Sequence, residues 1–161
     1  MSVTTCQRCG AAVRGLVCEY CGVLHHPPAS ATEEKQAWVE FLGILQTKEP
    51  EVQVSLLQNG FLPDSLPTLL DAGLHCVGLI DMSNTADDLV QAAQQRLQAI
   101  TAKLKIMPAN PESERAIAEF ESTLAAYRRA DRQMNQFLLW GCAGTLVLCV
   151  VLSAGAAFWL N

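Results

Sequence analysis

Apolar residues recur at every third or fourth position through residues 30–134, the spacing of one face of an α-helix. Alternating runs of β-branched residues are missing from this part of the sequence, which therefore predicts a mainly α fold. Ser30 and Glu33 form a capping box at the start of a first helix of about 15 residues. A short second helix follows. The pattern predicts Asp64 as the cap of a third helix and leaves open whether Gly73 divides that helix in two.

The helical pattern becomes strictly heptad after Asn84. Its apolar positions are Ala86, Val90, Ala93, Leu97, Ile100, Leu104 and Met107. Asn110 then serves as a cap, with Pro111 as the first residue of the next helix. That helix repeats the heptad spacing with Ile117, Phe120, Leu124, Tyr127, Asp131 and Met134. We therefore expect an antiparallel helical hairpin, similar to a coiled coil, with arms of about 20 residues.

An uncharged run of 24 residues occupies positions 137–160. As a helix it is about 36 Å long, enough to cross a hydrocarbon core of about 30 Å with some tilt. Trp140 and Trp159 lie near its two ends, where indole rings favour the membrane interface. No proline separates Met134 from this run, so we expect one helix of about 50 residues that serves as stalk and membrane span.

The orientation of this span follows from its flanking charges. Arg128, Arg129 and Arg132 precede it, so the positive-inside rule predicts a cytoplasmic N-terminus. Only Asn161 follows, and we therefore expect a single-pass tail anchor. Small residues recur along one face of the span and are expected to contact a partner helix: Cys142, Thr145, Cys149, Ser153 and Ala156.

The candidate chemistry lies at the other end of the chain. Cys6 and Cys9 form one CxxCG motif, and Cys18 and Cys21 form a second. Two residues between the sulfurs let a tight turn present both to one ion, and the following glycine can take a positive φ that turns backbone N–H groups toward sulfur. The four cysteines are therefore predicted to hold one structural zinc ion, with no open position for catalysis.

This pair of motifs resembles the short zinc ribbons of many bacterial proteins, including membrane-anchored ones, in which CxxCG…CxxCG folds as two turns around one zinc. The resemblance covers about residues 4–24. It implies a zinc ribbon, and it suggests the bacterial inner membrane as the location of the predicted anchor. It leaves the function open, because such ribbons contact nucleic acid, contact protein or serve as purely structural modules.

Other residues with chemical potential are less well placed for a site. His25 and His26 follow the second motif, but four thiolates already complete a tetrahedral site, so we interpret them as linker residues. His75 and Cys76 lack a partner at ligand spacing and are expected at the rim and in the core of the third helix. The common hydrolase, nucleotide-binding and metalloprotease motifs are missing, which argues against an enzyme.

The charge and cysteine content of the chain indicate which partners and which compartment to expect. The net charge is −5, which argues against bulk binding of polyphosphates. The ribbon carries only Arg8 and Arg14 as cations, against Glu19, so nucleic acid is disfavoured there as well. The start of the chain has no apolar signal-peptide core, and four of the seven cysteines have metal spacing, so we expect the ribbon in the reducing cytosol.

The predicted organisation has five parts. These are a zinc ribbon (1–26), a linker (27–31), a small helical segment (32–82), a helical hairpin or stalk (83–136) and a transmembrane helix (137–160). Together they favour a tail-anchored, non-enzymatic adaptor or accessory subunit that assembles with a protein partner or with itself at the cytoplasmic face of a membrane. The alternative is a membrane-tethered regulator whose ribbon binds nucleic acid or a transcription component.

Overall fold

A small ribbon and a set of helices make up the chain in a computed structural model, which describes the backbone of residues 4–159 and the side chains of residues 4–134 and 136. The ribbon strands pair antiparallel, with Thr4 opposite Val13. The elements within the described backbone are β1 (Thr4–Thr5), β2 (Ala12–Val13), α1 (Ala31–Thr47), α2 (Pro50–Asn59), α3 (Leu66–Leu79), α4 (Asp88–Ile106) and α5 (Pro111–Trp159). The predicted mainly α fold is confirmed.

Two helices begin at the residues that the sequence indicates. The Oγ of Ser30 accepts from the N–H of Glu33 at 3.2 Å at the start of α1. The Oδ1 of Asn110 accepts from the N–H groups of Glu112 and Ser113, at 2.9 and 2.8 Å, at the start of α5. These local caps satisfy N–H groups that the first helical turn leaves without a partner.

The start of α3 is capped from a distant part of the chain instead. Its N-cap residue is Ser65 and not the expected Asp64. The buried carboxylate of Glu34, on α1, accepts from the backbone N–H groups of Asp64 and Ser65. The side chain of Asp64 forms an ion pair with Lys103 of α4. The negative charge of Glu34 at a helix N-terminus also interacts favourably with the helix dipole.

Gly73 leaves α3 unbroken. A Cβ at this position would lie 2.3 Å from the ring of Phe120, so the glycine lets the aromatic ring of α5 pack directly on the backbone of α3. The helix runs without interruption from Leu66 to Leu79. The glycine therefore serves close helix packing and does not break the helix.

The central element is α4, which packs against α2, α3 and α5. Most of the predicted seam faces inward, with Val90, Leu97 and Ile100 buried, but Ala86 precedes α4 and is exposed. The buried surface of α4 is wider than one seam, because Ala92, Arg96 and Thr101 are buried as well. The hairpin of α4 and α5 therefore shares one hydrophobic core with the preceding helices, and that core extends from Val17 to Leu124.

Arg96 is an arginine inside this core, with 5% of its surface exposed. Its guanidinium donates to the carbonyl oxygens of Leu57 and Phe61 at 2.8 and 2.5 Å. The cation also lies 5.0 Å from the ring centroid of Phe41 and 5.8 Å from that of Trp38. Among the side chains described, no carboxylate forms an ion pair with it. Carbonyl dipoles and aromatic faces thus replace the missing anion.

The last helix continues from Pro111 to Trp159, in agreement with the predicted helix of about 50 residues. Among the residues whose side chains the structure describes, no helix is both long and apolar enough to cross a membrane. The expected span, residues 137–160, lies outside the residues with described side chains, as do the expected packing residues Cys142, Thr145, Cys149, Ser153 and Ala156. The membrane segment stays a prediction.

Candidate metal centre

The two CxxCG motifs fold as copies of one turn. In the first, the N–H of Cys6 donates to Ala11 O at 2.7 Å and the N–H of Gly10 donates to Cys6 O at 2.9 Å. In the second, Cys18 N–H donates to Val23 O and Gly22 N–H donates to Cys18 O, at 2.9 and 2.8 Å. Gly10 and Gly22 have φ values of 76° and 68°, which confirms the expected positive φ.

These turns bring the four predicted sulfurs together. The Sγ atoms of Cys6 and Cys21 lie 3.6 Å apart, as do those of Cys9 and Cys18. All four sulfurs lie within 4.8 Å of one another. Four sulfurs at about 2.3 Å from one tetrahedral ion would be about 3.8 Å apart, so the cluster has the size that such an ion requires. The cluster can therefore hold a metal ion.

Backbone N–H groups converge on the sulfurs, as the glycine turns predict. The pKa of Cys6 is lowered to about 6, first by the N–H of Cys9 and then by that of Arg8. At Cys9 the largest influence, the N–H of Ala11, lowers the pKa, but burial and the hydrogen bonds with Cys18 and Cys6 outweigh it and the net pKa is raised. Backbone N–H groups are thus the largest influence favouring the thiolate form of Cys6, and hydrogen bonds with the thiols of Cys21 and Cys9 add to them.

The pKa of Cys21 is shifted in the opposite direction to that of Cys6. Burial raises the pKa of Cys21 to about 12, although the N–H of Val23 donates to its sulfur. Several thiolates cannot be packed this closely without a cation, because like charges at short distance repel strongly. A divalent ion would remove that repulsion and displace the remaining protons.

The ribbon is fixed to the helical body through the segment between the two motifs. Val17 is buried in the main hydrophobic core, next to Leu16 and Leu24, which are partly buried there. The carboxylate of Glu40, on α1, accepts from the N–H groups of Leu16 and Val17 at 3.1 and 3.2 Å. The ribbon and α1 are therefore held together by both apolar packing and charge-assisted hydrogen bonds.

Gly22 makes a second connection, to the end of α2. Its carbonyl accepts from the N–H of Phe61 at 2.8 Å. A Cβ on Gly22 would lie 2.9 Å from the Cα of Gly60, so the two backbones approach too closely for any side chain. Because Phe61 donates to the ribbon, Leu57 O has no N–H from its own helix and accepts from Arg96 instead. The end of α2 thus joins the metal ribbon to the helical core.

The exposed side chains of the ribbon also contact the helices. Arg8 donates to Asn59 O at 2.9 Å. Tyr20 is 66% exposed, and its ring lies 5.8 Å from the Nζ of Lys48, which also pairs with Glu19 at 3.8 Å. One of the two ribbon arginines is therefore already engaged within the chain, and the exposed aromatic ring is the more prominent surface feature.

The remaining histidines and cysteines do not join the cluster. His26 is exposed and lies 3.9 Å from the carboxylate of Glu33, whereas His25 is outside the group of ligand atoms within 4.8 Å. Cys76 is fully buried in the main core, as predicted, and burial raises the pKa of its thiol to about 11. His75 is half-buried, and its pKa is lowered by burial and by the charge of Arg96.

The residues that hold the ribbon in place escaped the sequence reasoning. Neither Glu40 nor Gly60 is singled out in the sequence analysis. A charged residue next to the apolar face of α1 and a glycine directly before an aromatic residue are weak signals, and only the tertiary contacts give them meaning.

Comparisons of this chain with protein-family models, curated proteins and solved structures found no match.

Proposed function

We propose that this protein is a non-enzymatic adaptor or accessory subunit, anchored in a membrane by residues 137–160, whose zinc ribbon and helical body bind a protein partner at the cytoplasmic face. The observation that carries the proposal is the four-sulfur cluster fixed to the helical core through Val17, Glu40 and Gly22. A site of this kind stabilises a surface. It leaves no open coordination position for substrate.

Zinc is the metal that we propose for the cluster. Four thiolates in tetrahedral spacing suit zinc or iron, and a closed zinc site contributes its binding free energy to folding. The full chain purified in mild detergent should contain one zinc ion per chain by elemental mass spectrometry. Cys18→Ser should abolish the metal, whereas Cys76→Ala, which removes a thiol outside the cluster, should retain it. Iron in place of zinc, or no metal, would refute this assignment.

The proposed anchor is supported by the length of the uncharged run and by the three arginines that precede it. The full chain should stay with the membrane fraction after alkaline carbonate extraction, whereas the chain shortened to residues 1–136 should be released. Protease added to vesicles with the cytoplasmic side outward should remove the ribbon. Protection of the ribbon in those vesicles would contradict the orientation.

The adaptor role itself is tested by what accompanies the chain. Purification from its native membrane with lipid retained should yield a companion protein in constant ratio to this chain. A chain that is monomeric and free of companions under those conditions would overturn the proposal. Isolation of nucleic acid with the ribbon, in a salt-dependent manner, would favour the regulator alternative.

A further inference from the structure

A groove of about 840 Å³ lies between α3 and the first turns of α5. Phe120, which is buried, forms its floor. Because Gly73 has no side chain, this ring rests on the backbone of α3, with its nearest ring atom 2.3 Å from the position that a Cβ would occupy. The floor is thus fixed by a contact between the two helices that form the walls.

The α3 wall is mainly apolar. Pro67, Leu70 and Leu74 line it at positions i, i+3 and i+7 of one helix face, and Asp71 of the same helix lies beside them. Leu74 is 53% exposed, although it is a large apolar side chain. An exposed apolar stripe on one helix face can pack against the apolar face of a second, amphipathic helix.

The α5 wall and the rim are charged. Three carboxylates, Asp71, Glu112 and Glu119, line the groove together with one cation, Arg115. None of the three carboxylates forms an ion pair within the part of the chain whose side chains are described. Glu112 lies in the first turn of α5, where the helix dipole stabilises a negative charge. Asp71 and Glu119 have no such stabilisation. The groove therefore combines an apolar wall with an excess of negative charge.

We propose that this groove binds an amphipathic helix of a partner protein, with apolar residues on one face and lysine or arginine beside them. This rests on the proposed adaptor function and assigns its binding surface. Charge complementarity selects a basic helix, and the same carboxylates repel phosphate groups of lipid or nucleic acid.

A second copy of this chain fits the groove less well. Its basic cluster, Arg128 with Arg129 and Arg132, lies at least about 14 Å farther along α5 than Glu119. Two copies anchored in one bilayer with the same orientation would place these arginines opposite each other and away from the groove. The partner is therefore a different protein.

A model peptide tests the proposal directly. The probe is a fluorescein-labelled, helix-forming peptide of about 14 residues with leucine on one face and lysine beside it, and its counterpart carries glutamate in place of lysine. Binding is measured by fluorescence anisotropy to the full chain in nanodiscs of neutral lipid, with empty nanodiscs as the baseline. The lysine peptide should bind at least about tenfold more tightly than the glutamate peptide. Equal binding of both peptides would overturn the proposal.

Matched variants locate the binding. Leu74→Gln should weaken the lysine peptide about tenfold, whereas Val39→Gln should leave its affinity unchanged, because Val39 is a similarly exposed apolar residue (61%) on α1. Glu119→Lys should likewise weaken binding more than Glu51→Lys, which changes the net charge equally on the exposed surface of α2. Circular dichroism melts of all four variants report whether the fold is kept. Equal effects within each pair would refute the groove as the binding site.

A photo-crosslinkable residue at position 74 in native membranes identifies the occupant. A crosslink to a basic amphipathic helix of another protein supports the proposal, and a crosslink between two copies of this chain overturns it. If Leu74→Gln binds the lysine peptide as the unmodified chain does while a companion protein still copurifies, the groove assignment fails and the adaptor function stands. If the unmodified chain has no companion, the adaptor function fails.

Discussion

Arg96 is the residue whose removal should affect the helical body most clearly. In Arg96→Met the side chain keeps its approximate length and loses its charge. The carbonyl oxygens of Leu57 and Phe61 then lose their donors in a buried environment, at about 1–3 kcal/mol each, and the cation–π contacts, worth about 2 kcal/mol, disappear. Relief from burying a charge offsets several kcal/mol of this loss.

The loss should exceed the relief, because the two carbonyl groups stay buried after the cation is gone. We expect Arg96→Met to lower the free energy of unfolding by about 2–4 kcal/mol, a large part of the about 5–15 kcal/mol of a typical domain. Arg96→Lys should be no better, since one ammonium group cannot reproduce the planar fork that reaches both carbonyls.

The measurement is thermal unfolding of the full chain in mild detergent, followed by circular dichroism at the helical band. A loss of this size should lower Tm by about 10 °C for a folded unit of about 130 residues. Arg129→Met, at an exposed position of α5, is the control and should change Tm by no more than about 2 °C. If Arg96→Met melted like this control, the interpretation of Arg96 as a structural cation would be wrong.

Four further substitutions test other contacts by the same melting assay. Gly10→Ala should lower the free energy of unfolding by about 1 kcal/mol, because the residue has a positive φ. Gly22→Ala should lower it by about 3 kcal/mol, because its new methyl group would also clash with the backbone of Gly60. Equal losses in the two variants would contradict the close approach of Gly22 and Gly60. Glu34→Gln should cost about 1–2 kcal/mol, since it weakens the charged cap of α3, and an unchanged Tm would refute that cap. The pKa of His75 in the folded chain is lowered from 6.5, so as the pH falls below 6.5 the unfolded chain binds a proton more readily than the folded chain, and the free energy of unfolding decreases. His75→Gln should reduce this decrease. An unchanged pH profile of Tm in that variant would exclude the effect.

Features set by neighbouring residues were predictable from the sequence. The capping box at Ser30, the start of α5 at Pro111 and the positive φ of the two motif glycines are all local, because side chain and backbone within a few residues decide them. The cysteine cluster belongs to the same class, since the spacing within each motif places two sulfurs on one turn and one metal requires the two turns to meet.

Features that join distant segments were not predictable. Glu34 caps a helix about 30 residues away, and Arg96 donates to carbonyls 35 and 39 residues earlier in the chain. A heptad pattern indicates one buried seam, but α4 packs against three helices and so buries polar positions that the pattern assigns to solvent. Only the tertiary arrangement specifies which carbonyl lacks a donor and which polar side chain can reach it.

The insertion of Val17 into the main core has a practical consequence for genetic dissection. Deleting the first 26 residues would remove more than the metal ribbon, because it would also expose the apolar helix residues that Val17, Leu16 and Leu24 cover. The shortened protein should be degraded in the cell and so cause a loss-of-function phenotype, regardless of whether the metal site itself is needed. Single exchanges at the sulfur positions, scored beside cellular protein levels, are the cleaner way to separate what the metal does from what the rest of the molecule needs.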